Sequence, residues 1–195
     1  MAIECGRDDA LPYDHVGRGI LEDLFVLALD APIAIGAREG LTGALQMILA
    51  HYRGEEVCGP RIVYGLNAYD TWIEAFRGAQ IEPNGNAYNV AVVQDARHYA
   101  SAFLAELADT WQGDSVADER IRSLSREASG LYRNMAEELL VLRDMFPFPT
   151  EGEPNQPAQA ERSIGVLQSV KRLEQQAVGL LETKYETLQA DSAAG

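Results

Sequence analysis

Asp95 and His98 stand three residues apart, a spacing that sets a carboxylate and an imidazole on one face of a helix. An imidazole held by a neighbouring carboxylate is the simplest arrangement for a general base. The same residue types raise the question of a metal. A di-iron bundle requires a Glu-x-x-His pair on each of two helices with two further glutamates facing them, and no Glu-x-x-His occurs in this chain. His15, His51 and His98 are the only imidazoles, and their separations follow no zinc-ligand spacing. No metal and no cofactor is therefore expected. The thiols of Cys5 and Cys58 have no histidine at a fixed offset, there is no G-x-S-x-G elbow, and no glycine set follows a strand as a phosphate cradle requires. Asp95 and His98 thus carry two readings: an acid–base couple, or a hydrogen bond at a helix interface in which Arg97 or another cation satisfies Asp95.

A second set of residues surrounds that pair. Tyr64, Tyr69, Trp72, Tyr88, Tyr99 and Trp111 fall within residues 64–111, interleaved with Gly65, Ala68, Ala75, Ala91 and Ala102. Rings with a polar tip supply apolar area and a hydrogen bond together, which suits a ligand cavity, and the small residues leave room beside them. The same rings also suit a helical core with their hydroxyls at its rim. The candidate ligand-binding set is Tyr64, Tyr69, Trp72, Tyr88, Asp95, His98 and Tyr99, expected between two helices around Trp72 and His98. Asp70 and Glu74 fall on the opposite, solvent-facing side of their helix.

The elements that must position these groups are helices. Leu41, Ala44, Leu45, Ile48 and Tyr52 predict a first helix that Gly54 ends. Leu66, Tyr69, Ile73 and Phe76 predict a second, with Asn67, Asp70, Glu74 and Arg77 outward. Pro83-Asn84-Gly85-Asn86 reads as a turn with an N-cap at its end, followed by a third helix that buries Tyr88, Val92, Ala96, Tyr99, Phe103 and Leu107. Ile121, Leu124, Ala128, Leu131, Met135, Leu139, Leu142 and Phe146 predict a long fourth helix in bundle packing, stopped by Phe146-Pro147-Phe148-Pro149. A proline-punctuated linker leads to a fifth, from about Ala158, burying Val166, Val170, Leu173, Ala177, Leu180 and Leu188. Pro32-Ile33-Ala34-Ile35 is open to a short strand or an extended tie. The expected fold is all-α, about five helices in an irregular bundle over residues 36–190, with an irregular N-terminal segment over residues 1–35.

The formal net charge is −14, distributed along the chain and not held in a tail. Such a surface repels phosphate backbones, and Arg120, Arg122 and Arg126 are interleaved with acids, so nucleic acid is not an expected partner. No apolar run approaches a membrane span of roughly 20 residues, and the acidic N-terminus lacks the basic start of a signal peptide, so the expected location is cytoplasmic, without a membrane partner. Two cysteines without C-x-x-C spacing fit reduced thiols there.

The order of Gly65-Leu66-Asn67-Ala68-Tyr69-Asp70-Thr71-Trp72-Ile73-Glu74-Ala75-Phe76, Asn86-Ala87-Tyr88-Asn89, Phe146-Pro147-Phe148-Pro149 and a closing amphipathic helix resembles the helical C-terminal half of bacterial proteins related to the butirosin-biosynthesis protein H. The resemblance spans roughly residues 30–188. In that family the helical half commonly follows a papain-like domain with a cysteine nucleophile for acyl transfer. Too few residues precede Gly36 for such a domain, so the resemblance carries no catalytic cysteine over and implies a stand-alone helical module or a part completed by another chain. The leading functional expectation is a non-catalytic domain that binds a small amphipathic molecule or a protein partner. The alternatives are an acyl-transfer or acid–base enzyme completed by a partner chain, and a homodimerisation module using the exposed side of the fourth helix.

Overall fold

The computed structural model describes residue 31 and residues 33–55, 62–150 and 152–194, with side chains to residue 191. The readings placed on residues 1–30, on Cys5, His15 and Cys58, and on the break at Pro60 lie outside the described residues. Within them the chain is all-α: α1 (Ala37–Arg53), α2 (Leu66–Arg77), α3 (Pro83–Thr110), α4 (Val116–Met145) and α5 (Pro157–Ala194). No strand occurs among the described residues, and residues 33–35 are irregular. None of these helices is long and apolar enough to cross a membrane.

Local chemistry sets the helix ends. Gly54 closes α1 in the left-handed conformation at φ 70°, where a glycine has no Cβ to clash. A reciprocal capping box opens α4, with the Ser115 hydroxyl accepting from the Asp118 amide and Asp118 accepting from the Ser115 amide. The segment Pro83-Asn84-Gly85-Asn86 departs from its reading as a turn. It is the first turn of α3, with Pro83 at the position where its missing N–H is harmless and the Glu82 carboxylate accepting from the amides of Asn84 and Gly85. Asn86 is thereby carried inside the helix, where it is buried and accepts a 2.9 Å hydrogen bond from Trp72 Nε1.

The fourth helix buries the residues its spacing indicates: Ile121, Leu124, Ala128, Met135, Leu139, Leu142 and, at its cap, Phe146, with Leu131 half-buried. It packs against α3 and α5, and α5 also carries α1 and α2. Helices α2 and α3 do not face each other along their lengths as their sequences suggest. The inward side chains of α2, Tyr69, Ile73 and Phe76, join a core that α5 helps to form, and Phe76 meets Phe146 at 6.1 Å. The linker after α4 is tied back by Asn155, which accepts from the Ile81 amide at 3.0 Å and donates to its carbonyl at 2.9 Å.

Helix α3 turns the opposite way from its sequence reading. Tyr88, Val92, Ala96, Tyr99 and Phe103 are exposed, Leu107 is half-buried, and the buried stripe is Ala87, Val90, Gln94, Ser101, Leu104 and Ala108. The reason lies at the crossing with α4. Ser101 Oγ donates to the Ser129 carbonyl at 2.9 Å and Ser129 Oγ donates to the Ser101 carbonyl at 2.8 Å, which requires the two backbones to approach closely. Small side chains permit that approach and large rings do not, so the aromatic stripe is left outside.

Candidate functional site

Helices α2, α3, α4 and α5 meet at a buried carboxylate. Glu174 interrupts the apolar face of α5, between Val170 and Ala177. Its Oε2 accepts from Tyr69 Oη of α2 at 2.9 Å and from Arg97 Nε of α3 at 2.8 Å, and lies 2.7 Å from Arg97 Nη2. Nη2 also reaches the Tyr69 hydroxyl at 3.3 Å. Tyr132 of α4 shares the same carboxylate and is buried with it.

Electrostatics fixes the protonation of this group. Burial lifts the Tyr69 phenol well above its ordinary value; Arg97 opposes that rise and Glu174 adds to it. Burial does the same to Tyr132, with the Glu174 charge reinforcing it. Burial pulls the Arg97 guanidinium down, but the Glu174 charge and hydrogen bond outweigh that and hold it above its ordinary value. At neutral pH the cluster is therefore a permanent cation and two phenols that keep their protons. It presents hydrogen-bond donors around the Glu174 carboxylate.

The cluster floors a cleft of about 470 Å³. Met47, Ile48 and Tyr52 of α1, Ala100 of α3 and Val178 of α5 form its walls. Nε and Nη2 of Arg97 are engaged by Glu174 and Tyr69, and the guanidinium lines the cleft. A backbone junction holds the cleft's edge: Gly65, which caps α2 at φ 60°, stands so close to α1 that a Cβ there would lie 1.9 Å from the Tyr52 carbonyl oxygen.

Of the candidate ligand-binding residues, only Tyr69 belongs to this cluster. Tyr64 packs edge-on against His51 of the cleft wall at 5.3 Å. Trp72 lines a separate cleft of about 570 Å³ between α2 and the start of α3, together with Ile62, Val63, Ile81 and Val93. Tyr88 is exposed and meets Phe148 at 5.8 Å, and Tyr99 is exposed beside His98 at 5.4 Å. Asp95 is exposed and paired with Arg143 at 3.3 Å, while exposed His98 lines a groove between α3 and α4. Asp95 and His98 are thus not the interior couple their spacing suggests, and Trp72 and His98 do not enclose one site. The cation that satisfies Asp95 is Arg143, which leaves Arg97 to Glu174. Among the described residues no three His, Cys, Asp or Glu side chains gather in a way that could hold a metal ion.

Arg97, Tyr132 and Glu174 were missed by the sequence reading, yet α5 carried a signal for one of them. Its inward residues Leu167, Val170, Glu174, Ala177, Leu181, Lys184 and Leu188 step by three and four, and two of the seven are charged. A charge inside an apolar stripe is rare unless paired. Comparison of the chain with known protein families, with curated proteins and with solved structures finds no match.

Proposed function

We propose that this chain is a non-catalytic binding domain for a small, largely apolar molecule with one hydrogen-bond-accepting end, such as a carbonyl or amide. The observation that carries this reading is the Tyr69–Arg97–Tyr132–Glu174 cluster flooring a cleft with apolar walls. Ligand sites commonly combine such walls with a few polar groups that fix orientation. Groups with strongly shifted pKa values inside a cleft also mark sites more often than they mark ordinary surface. Because Glu174 offsets the Arg97 charge, a neutral acceptor fits this floor better than a free carboxylate. The apolar ligand body would lie along Met47, Ile48 and Val178.

Thermal-shift and NMR titrations with neutral aromatic and aliphatic amides, carboxylates and amines test the proposal. Neutral acceptors are expected to give saturable shifts, with stabilisation of about 2.7 kcal/mol at a hundredfold excess over Kd. Ala100→Leu, which fills the cleft from α3, should abolish the response. If no compound class gives a saturable shift, or if Ala100→Leu responds as the parent does, the cleft is not a ligand site.

A further inference from the structure

The outward face of α3 carries a stripe that the site above does not use. Tyr88, Val92, Tyr99 and Phe103 are between 47 % and 69 % exposed, and Phe148, 51 % exposed, extends the stripe beside Tyr88. Exposed Ala96 lies at its middle. A contiguous row of rings on a helix surface marks an interaction face, whereas single exposed apolar residues need no explanation.

Three features identify what covers it. The first is charge. Among the exposed α3 residues from Tyr88 to Phe103 the only formal charge is Asp95, already paired with Arg143, in a chain of net charge −14. Two copies of so acidic a molecule repel over most of their surface and can approach at a neutral face. The second is register. Tyr88, Val92, Tyr99 and Phe103 are arranged symmetrically about the point between Asp95 and Ala96, so two antiparallel copies would set Tyr88 opposite Phe103 and Val92 opposite Tyr99, with the small Ala96 and the Arg143-paired Asp95 at the crossing. A two-fold interface requires that self-complementarity. The third is shape. A groove of about 370 Å³ runs beside the stripe between α3 and α4; Ala102, Ala105, Ala136 and Leu140 give it room for a ring from the facing copy, and His98, Arg133 and Glu137 beside them can meet that ring's hydroxyl.

We propose that a second copy of this chain covers the α3 stripe, the two α3 helices crossing antiparallel about Ala96. Four half-exposed rings and Val92 offer on the order of 500 Å² per copy; with their neighbours this approaches the roughly 800 Å² per partner of a standard interface. The surface lies on α3, not on the exposed side of α4.

Sedimentation velocity of the full chain at concentrations up to about 200 µM reads the association directly. The expected result is a dimer of the 21.4 kDa chain, with Tyr99→Glu and Phe103→Glu each weakening the dimer at least about tenfold while leaving the far-UV circular dichroism unchanged. In a background with Cys5→Ser and Cys58→Ser, Ala96→Cys should oxidise to a disulfide-linked dimer, because the crossing places the two copies of residue 96 together. A strict monomer across that range, a dimer indifferent to Tyr99→Glu, or failure of Ala96→Cys to cross-link in a solution that is dimeric would each overturn the proposal. So would a monomer that binds phosphatidylcholine vesicles through Tyr99 and Phe103, which would make the face a membrane-docking surface.

Discussion

Glu174 and Lys184 lie ten residues apart on the inward side of α5, yet their settings are opposite. Glu174 is surrounded by donors, so its charge is matched where it is buried. Replacing it with Gln should leave the Arg97 guanidinium without its counter-charge. The expected loss is about 3 kcal/mol in urea unfolding, the lower end of the range for a broken buried pair because Arg97 keeps some contact with water. Lys184 is fully buried, and its Nζ has no hydrogen-bond partner among the described residues. Burial pushes its amine down to about 8 from the ordinary 10.5, a difference worth roughly 3 kcal/mol against folding at neutral pH. Lys184→Met should therefore raise stability in urea unfolding near pH 7, by up to about that amount; an unchanged or lower value would show that the amine has a partner in solution. Neither residue's surroundings can be read from its neighbours in sequence. What the sequence does show is two charges in an apolar stripe.

At the scale of elements, the helices were legible wherever one stripe of side chains had only one way to be buried. The apolar residues of α4 alternate three and four without competition, and Ser115 with Asp118 supplies its start. Helix α3 offers two stripes. The aromatic one is more hydrophobic, but the Ser101/Ser129 crossing selects the small one, a choice that depends on residues 28 positions apart. Interhelical packing overrides hydrophobicity there because close approach of backbones excludes rings. The junction between α1 and α2 depends on a single position. Gly65→Ala would strain the backbone at φ 60° and drive a methyl group into the Tyr52 carbonyl, so the melting temperature should fall by an amount equivalent to about 1–3 kcal/mol. The cleft edge beside Tyr52 should loosen with it. A Gly65→Ala variant that melts with the parent would show that the two helices are not joined this closely.

At the scale of the whole molecule, α1, α4 and α5 are tied together by Asp118. It accepts from Trp111 Nε1 at 2.9 Å and pairs with Arg38, which lies over the Trp111 ring and also reaches Asp191 at 2.7 Å. Hydrogen bonds from Ser115 and then Trp111, with the Arg38 charge beside them, hold the Asp118 carboxyl at about 2, below the ordinary 3.8. Its contribution to stability is complete above pH 4 and is lost as pH falls through 4 toward 2. Lys184 acts at the other end. Below pH 8 its amine is charged in both states and the burial penalty is fully present; between about 8 and 10.5 the folded chain has released a proton that the unfolded chain keeps, so stability rises with pH. Urea midpoints measured from pH 2 to pH 10 should show both slopes, with Asp118→Asn flattening the acid limb and Lys184→Met the alkaline one. By itself the sequence determined the all-α class, the five helices found among the described residues, the glycine that ends α1 and the apolar face of α4, because these depend on local periodicity and on residues a few positions apart. Only the tertiary structure decided which side of α3 is buried, that α2 joins α5, and that Tyr69, Arg97, Tyr132 and Glu174 form one cluster. Those outcomes depend on backbones and charges from 28 to 105 residues apart, where burial makes pairing obligatory but leaves the choice of partner to the geometry of the bundle.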